Sequence, residues 1–160
     1  METINIEIKM KKHGVMKAEL YPEIAPITVK NFVELIENRF FDGLIFHRVI
    51  SGFMIQGGGY DVKGMHHEAK AIIGEFASNG IENNLKHTPG VLSMARTMYK
   101  DSASSQFFIM HKAAPHLDGQ YAAFGKVIEG MEVVDLIANV QTGLGDQPID
   151  PVVIESIRLI

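Results

Sequence analysis

The stretch LIFHRVISGFMIQG, residues 44–57, carries two short apolar runs on either side of Ser51-Gly52. Runs of this length, rich in Ile, Val and Phe and broken by a turn-forming pair, read as two strands joined by a tight turn. The same pattern continues outward. Ile4, Ile6 and Ile8 alternate with Asn5, Glu7 and Lys9, the period of a half-buried strand. Met16, Ala18 and Leu20 alternate with Lys17 and Glu19, and the charged link MKKHG ends in Gly14, so these two strands form a hairpin. Further strands are expected at VLSMA (91–95), QFFIM (106–110), AAFGKVIE (122–129) and the closing run VVIESIRLI (152–160). Residues 58–89, rich in Gly, His, Asn and Glu, read as long loops.

Two helices interrupt the strands. In APITVKNFVELIENRF (25–40), Val29, Phe32, Val33, Ile36 and Phe40 recur at helical spacing, and Pro26 suits the first helical position, where its missing N–H has no partner to lose. This predicts a helix over 26–38. A second helix, MEVVDLIANV (131–140), follows Gly130. Many short, turn-bounded strands point to a sandwich or a barrel. With about eight strands, a barrel interior is just filled by side chains, so a ligand would bind on the outside or at a rim.

Composition narrows the function. The chain has 160 residues, the size of one compact domain spanning 1–160. Its net charge is −4 with Lys and Arg scattered, which offers no basic face for nucleic acid. No apolar run approaches the ~20 residues of a membrane span. METINIEIKM lacks the basic start and apolar stretch of a secretory signal, so a cytoplasmic protein is expected. Cysteine is absent, which removes disulfides, thiolate catalysis and Cys-based metal sites together.

Most chemical motifs are missing. Gly57-Gly58-Gly59 follows a strand but opens no helix, against a phosphate cradle. There is no G-x-S-x-G elbow, and Ser104 and Ser105 have no marked base partner. His66-His67-Glu68 reads as a solvated loop, and no H-x-x-x-H spacing supports zinc. Neither metal nor cofactor is expected. What remains is Arg48, set among apolar residues five positions before Phe53 and eight before Gln56. On the residues alone it reads as a surface arginine on an edge strand.

Three stretches alter that reading. FHRVISGFMIQGG (46–58), SMARTMYKDSASSQFFI (93–109) and HLDGQYAAFGKVIEGMEVVD (116–135) resemble, in order, the signature segments of the cyclophilins, the peptidyl-prolyl cis/trans isomerases. The helix opening APITVKNF is similar as well, and the form MART…DSASSQFFI resembles the bacterial branch. The likeness runs from about residue 15 to 140. It implies a mainly β fold, a closed eight-stranded antiparallel barrel capped by two helices, with a hydrophobic groove on its outer wall. It implies Arg48 as the catalytic residue, Phe53, Met54, Phe108 and Leu117 as walls of a proline pocket, and Gln56 as the group that orients the arginine. Ala95, Arg96 and Gln106 then line the neighbouring subsite, and His116 and Tyr121 sit at the pocket edge.

The implied partners are proline-containing unfolded or extended polypeptides, and the implied state is a monomer. His116 stands where many relatives place a tryptophan that holds cyclosporin, so weakened binding of that drug is expected. Tyr121 replaces a frequent histidine, Arg96 a frequent asparagine, and Ser51 a common turn proline. Arg96 adds a second cation that would favour acidic residues before the proline. Residues 59–73 match poorly and receive no site. Two other readings stay open: a proline-peptide binding or chaperone module whose turnover is incidental, and a barrel carrying a small apolar ligand. Phe107 and Phe108 are neighbours in a strand, so one must face inward and the other the groove; the resemblance assigns Phe108 to the groove.

Overall fold

The structure is a computed structural model and describes residues 2–160. β1 (Ile4–Met10) and β2 (Val15–Leu20) form the expected antiparallel hairpin, with Ile4 opposite Leu20 and Lys9 opposite Val15. Ile6, Ile8, Met16, Ala18 and Leu20 are buried, as their alternation requires. β3 (Arg48–Ile50), β4 (Met54–Gly57), β5 (Val91–Met94), β6 (Phe107–Met110), β7 (Ala123–Glu129) and β8 (Ile154–Leu159) complete one curled antiparallel sheet of eight strands, ordered β3-β4-β6-β5-β7-β2-β1-β8. The fold is therefore mainly β with two helices, α1 (Pro26–Glu37) and α2 (Met131–Ala138).

The strand expected to begin at Leu44 is regular only from Arg48. Residues 43–46 instead face the lead-in to β8. Gly43 N–H donates to Ile154 O at 2.9 Å, Ile154 N–H to Leu44 O at 2.8 Å, and Phe46 N–H to Val152 O at 3.0 Å. On its other side Ile45 N–H donates to Tyr60 O at 2.8 Å. Residues 58–89 are mostly irregular, with one turn of 3₁₀ helix at Ala77–Asn79.

The alternation of the strands sorts side chains into two apolar clusters. Ile55, Leu92, Met94, Phe107 and Ile109 point inward with α1 and α2. There Phe32 contacts Phe107 edge-on at 5.2 Å and Phe124 at 5.0 Å, and Phe46 meets Phe107 at 5.8 Å. These rings occupy the space that a carried ligand would need. Met54, Val91, Phe108, Met110 and Ala123 point outward, and they join Ala114 and Leu117 in the second cluster. This second cluster is itself buried, covered by the loops that follow β6 and by the half-buried Phe53, Leu85 and Tyr121 packed against it.

α1 begins without a capping side chain of its own, since Ala25 precedes Pro26 and the first turn holds no acidic residue. The long loop supplies the cap. Glu75, 2% exposed, accepts Thr28 N–H at 2.6 Å and Thr28 Oγ–H at 2.8 Å. A carboxylate there satisfies an orphan donor and faces the positive end of the helix dipole.

Candidate active site

One row of paired residues crosses four strands and lays out the site. Arg48 pairs with Gln56, Gln56 with Phe108, and Phe108 with Ser93. Directly opposed residues share a face, so these side chains stand together on the outer wall. Phe53, Met54, Arg96, Leu117 and Tyr121 complete a cleft around Arg48, Gln56 and Phe108. Its volume is ≈ 160 Å³. That is below the ~300–1,000 Å³ of pockets that enclose whole drug-sized ligands, and suits a single ring.

Arg48 lies on the exposed rim with its Nη1 donating to Gln56 Oε1 at 3.3 Å. Gln56 Nε2 in turn donates to Gln106 Oε1 at 3.1 Å. The chain of donors fixes the amide of Gln56 with its oxygen toward the guanidinium. Gly59 makes room for the Gln106 side chain, because a Cβ there would stand 2.6 Å from Gln106 Cγ. That need for close approach accounts for a glycine that no phosphate motif explained.

The floor is apolar. Met54, Phe108 and Leu117 are 2%, 5% and 7% exposed, and Phe53 and Tyr121 are half-buried above them. Tyr121 meets Phe108 edge-on at 5.7 Å. His116 is exposed and stacks on Phe53 at 5.9 Å, outside the cleft. Ala95 and Gln106 belong to an adjoining cavity of ≈ 280 Å³, which Arg96 shares with the first.

Arg96 is held by the protein itself. Its guanidinium lies 4.8 Å from the ring centres of both Phe76 and Tyr121. It donates to Gln120 O at 2.8 and 3.1 Å and to Thr97 O at 2.9 Å. The guanidinium is therefore a fixed strut between the two cavities.

A network that sequence reasoning missed lies behind Phe108. His87, 1% exposed, stacks on Phe108 at 6.0 Å with planes 20° apart. Its Nδ1 is 3.0 Å from Asp118 Oδ1, and its Nε2 is 2.8 Å from Ser93 Oγ. Burial pushes the His87 pKa down, against the raising effect of Asp118. The neutral ring thus carries its proton on Nδ1 and accepts the Ser93 hydroxyl proton at Nε2. The order Ser-His-Asp resembles a hydrolase triad, but Ser93 is fully buried and no substrate reaches it. Residues separated by 31 and by 6 positions carry no local signal of such a network.

The other sequence candidates lie elsewhere. Ser105 donates to Gly58 O at 2.7 Å in the interior. His67 pairs with Asp61 at 2.9 Å, and His66 packs on Tyr60 at 5.1 Å. Among the described residues no three His, Cys, Asp or Glu side chains stand close enough to share a metal ion, and no helix is long and apolar enough to cross a membrane.

The family model described as "Cyclophilin type peptidyl-prolyl cis-trans isomerase/CLD" matches residues 4–159. The chain belongs to the cyclophilin-type peptidyl-prolyl cis-trans isomerases. Its activity is rotation about the peptide bond that precedes proline, and it is an isomerase by class. A peptidyl-prolyl cis-trans isomerase of Acinetobacter baylyi is 46% identical over 97% of this chain and 86% of that protein. Peptidyl-prolyl cis-trans isomerase B of Escherichia coli is 41% identical over 92% of this chain and 94% of its own. Among solved structures, a cyclophilin of Cryptosporidium parvum superposes with a TM-score of 0.85 at 30% identity, covering 99% of this chain and 98% of that one. The cyclophilin fold thus accounts for the strand order and the outer cleft together.

Proposed function

We propose that the cleft binds the proline of an extended polypeptide and that Arg48 catalyses rotation of the bond before it. The Arg48–Gln56–Phe108 row carries this reading: a cation bonded to Gln56 and an apolar floor face the same small space. The Cryptosporidium parvum relative was also solved in the presence of the dipeptide Ala-Pro, which supports a proline-containing ligand here.

The chemistry follows from the amide. Partial double-bond character sets a barrier of ~18–20 kcal/mol to rotation. No bond breaks, so the reaction needs no nucleophile and no electron carrier. In the twisted transition state the nitrogen lone pair leaves conjugation and can accept a hydrogen bond. A guanidinium aimed at that nitrogen stabilises the twisted state more than the planar one, the condition for catalysis. Arginine suits this better than lysine, because it stays charged and its planar fork holds direction. A charge-assisted hydrogen bond contributes about 1.5–3 kcal/mol, or one to two powers of ten in rate. The rest comes from a preorganised, partly dry site. Met54, Phe108 and Leu117 hold the prolyl ring while the other end of the bond turns.

The hydrogen bonds between residues 43–46 and 152–154 support closure of the curled sheet into a barrel. The protein acts as a monomer on unfolded or extended chains and assists their folding in the cytoplasm. Cyclosporin binds weakly, since His116 stacks outside the cleft. The Arg48–Gln56 contact favours turnover over simple holding, because an apolar pocket alone would hold proline. Exchange NMR on an Ala-Pro peptide tests this. Native protein accelerates cis/trans exchange; a bound peptide with unaccelerated exchange would replace the enzyme with a binding module.

A further inference from the structure

The turn that carries Phe53 is tied to α2 through a buried histidine outside the cleft. His111 follows β6 and is 6% exposed. Its Nδ1 accepts Gly52 N–H at 2.9 Å, and its Nε2 lies 2.8 Å from Asp135 Oδ1 on α2. A backbone N–H can only donate, so Nδ1 is unprotonated and the ring proton sits on Nε2, pointing at the carboxylate. The backbone N–H of His111 also donates to Phe53 O at 2.9 Å. One residue thus holds both Gly52 and Phe53.

The neighbouring turn residue is tied to the same helix. Ser51 Oγ donates to Asn139 Oδ1 at 2.8 Å, and Asn139 Nδ2 donates to Asp135 O at 2.9 Å. That second link is exposed at both ends; the bond from Gly52 N–H to the buried His111 ring is partly buried, and only the Asp135 carboxylate beyond it is open to solvent. Gly52 has a φ of +81°, a conformation that a bond to its N–H helps to hold. Without that bond the turn keeps its residues but loses its fixed angle, and Phe53 is the side chain that moves.

We propose that His111 is a positioning residue, whose Nδ1 acceptor fixes the Ser51–Gly52 turn and thereby sets Phe53 as a wall of the proline cleft. This rests on the reading of Phe53 as such a wall. Because Phe53 holds the ring in ground and transition states alike, loosening it weakens binding and leaves the turnover step intact.

Two variants separate the acceptor from simple packing. Asparagine places its Oδ1 where the imidazole has Nδ1, while glutamine reaches Asp135 but leaves Gly52 N–H without a partner. His111→Gln should raise KM about fivefold or more with kcat within about twofold, and His111→Asn should keep both within about twofold of native. Phe53→Ala, measured alongside, should raise KM at least as much as His111→Gln. ¹⁵N shifts of the native imidazole should give an unprotonated Nδ1 at neutral pH. A native KM in the glutamine variant, equal defects in both variants, or a protonated Nδ1 would overturn the inference while leaving the cleft reading intact. An unchanged KM in Phe53→Ala would overturn both.

Discussion

His87 and Phe108 lie ring on ring, 6.0 Å apart, so the floor of the cleft rests on a buried imidazole. Asp118 Oδ1 holds His87 twice, through the ring Nδ1 at 3.0 Å and the backbone N–H at 2.7 Å. Removing the carboxylate in Asp118→Ala leaves two sheltered donors without partners. The loss should be about 1–3 kcal/mol of stability, the usual penalty for such groups. Urea unfolding measures it, and peptide affinity should fall with it as Phe108 loses its backing. Unchanged unfolding would remove the network from the account.

The same burial makes stability depend on pH. His87 and His47 both have pKa values below the ordinary 6.5, chiefly through burial, with Arg48 adding to the effect at His47. A histidine depressed in the folded state takes up its proton more readily when unfolded. Its contribution is full above about pH 6.5 and is lost as pH falls through the lower folded value. The melting temperature should therefore drop between pH 7 and pH 5, and His47→Gln should flatten part of that slope. A variant slope equal to the native one would contradict this.

Glu75 caps α1 from 47 positions away, so its loss should unfasten the long loop and the helix together. Glu75→Ala leaves Thr28 N–H and its hydroxyl unpaired at a buried helix start, at about 1–3 kcal/mol. Hydrogen exchange should show the first turn of α1 opening ahead of the sheet. Native protection at Thr28 would argue that another group takes over the cap.

Arg96 separates the two cavities, wedged between Phe76 and Tyr121. Arg96→Ala should change preference for the residue before proline severalfold while altering the maximal rate far less. Arg96→Lys should not restore it, because an ammonium lacks the planar fork that grips Gln120 O and fills the ring-to-ring gap. A peptide panel varied before proline gives the answer; a uniform fall across the panel would count against a role in selection.

The fold was legible wherever period and punctuation agreed. The β1–β2 hairpin, α1 starting at Pro26, and the loops from 58 to 89 follow from local pattern. Leu44–Phe46 has strand composition, but its partners lie at residues 60 and 152–154, and pairing that distant leaves no local trace. Alternation put Phe107 and Phe108 on opposite faces and the resemblance assigned Phe108 to the groove; the register of four strands is what lines up Arg48, Gln56, Phe108 and Ser93. Arg48 shows the limit most clearly: on the residues alone it reads as an edge-strand arginine, the resemblance singled it out, and the structure sets it beside Gln56 on the rim of the cleft that Phe108 floors. Ser51, which reads as a local turn substitution, bonds to Asn139 at the C-cap of α2. Glu75, His87 and His111 act across 47, 31 and 59 positions, and no spacing rule reaches that far.

The most direct test is the isomerisation rate of an Ala-Pro peptide with Arg48→Ala, alongside a thermal melt. The variant's kcat/KM should fall at least about 100-fold, equivalent to ~2.7 kcal/mol of transition-state stabilisation, with the melt unchanged. A variant that folds as the native protein and turns over at the native rate would contradict it.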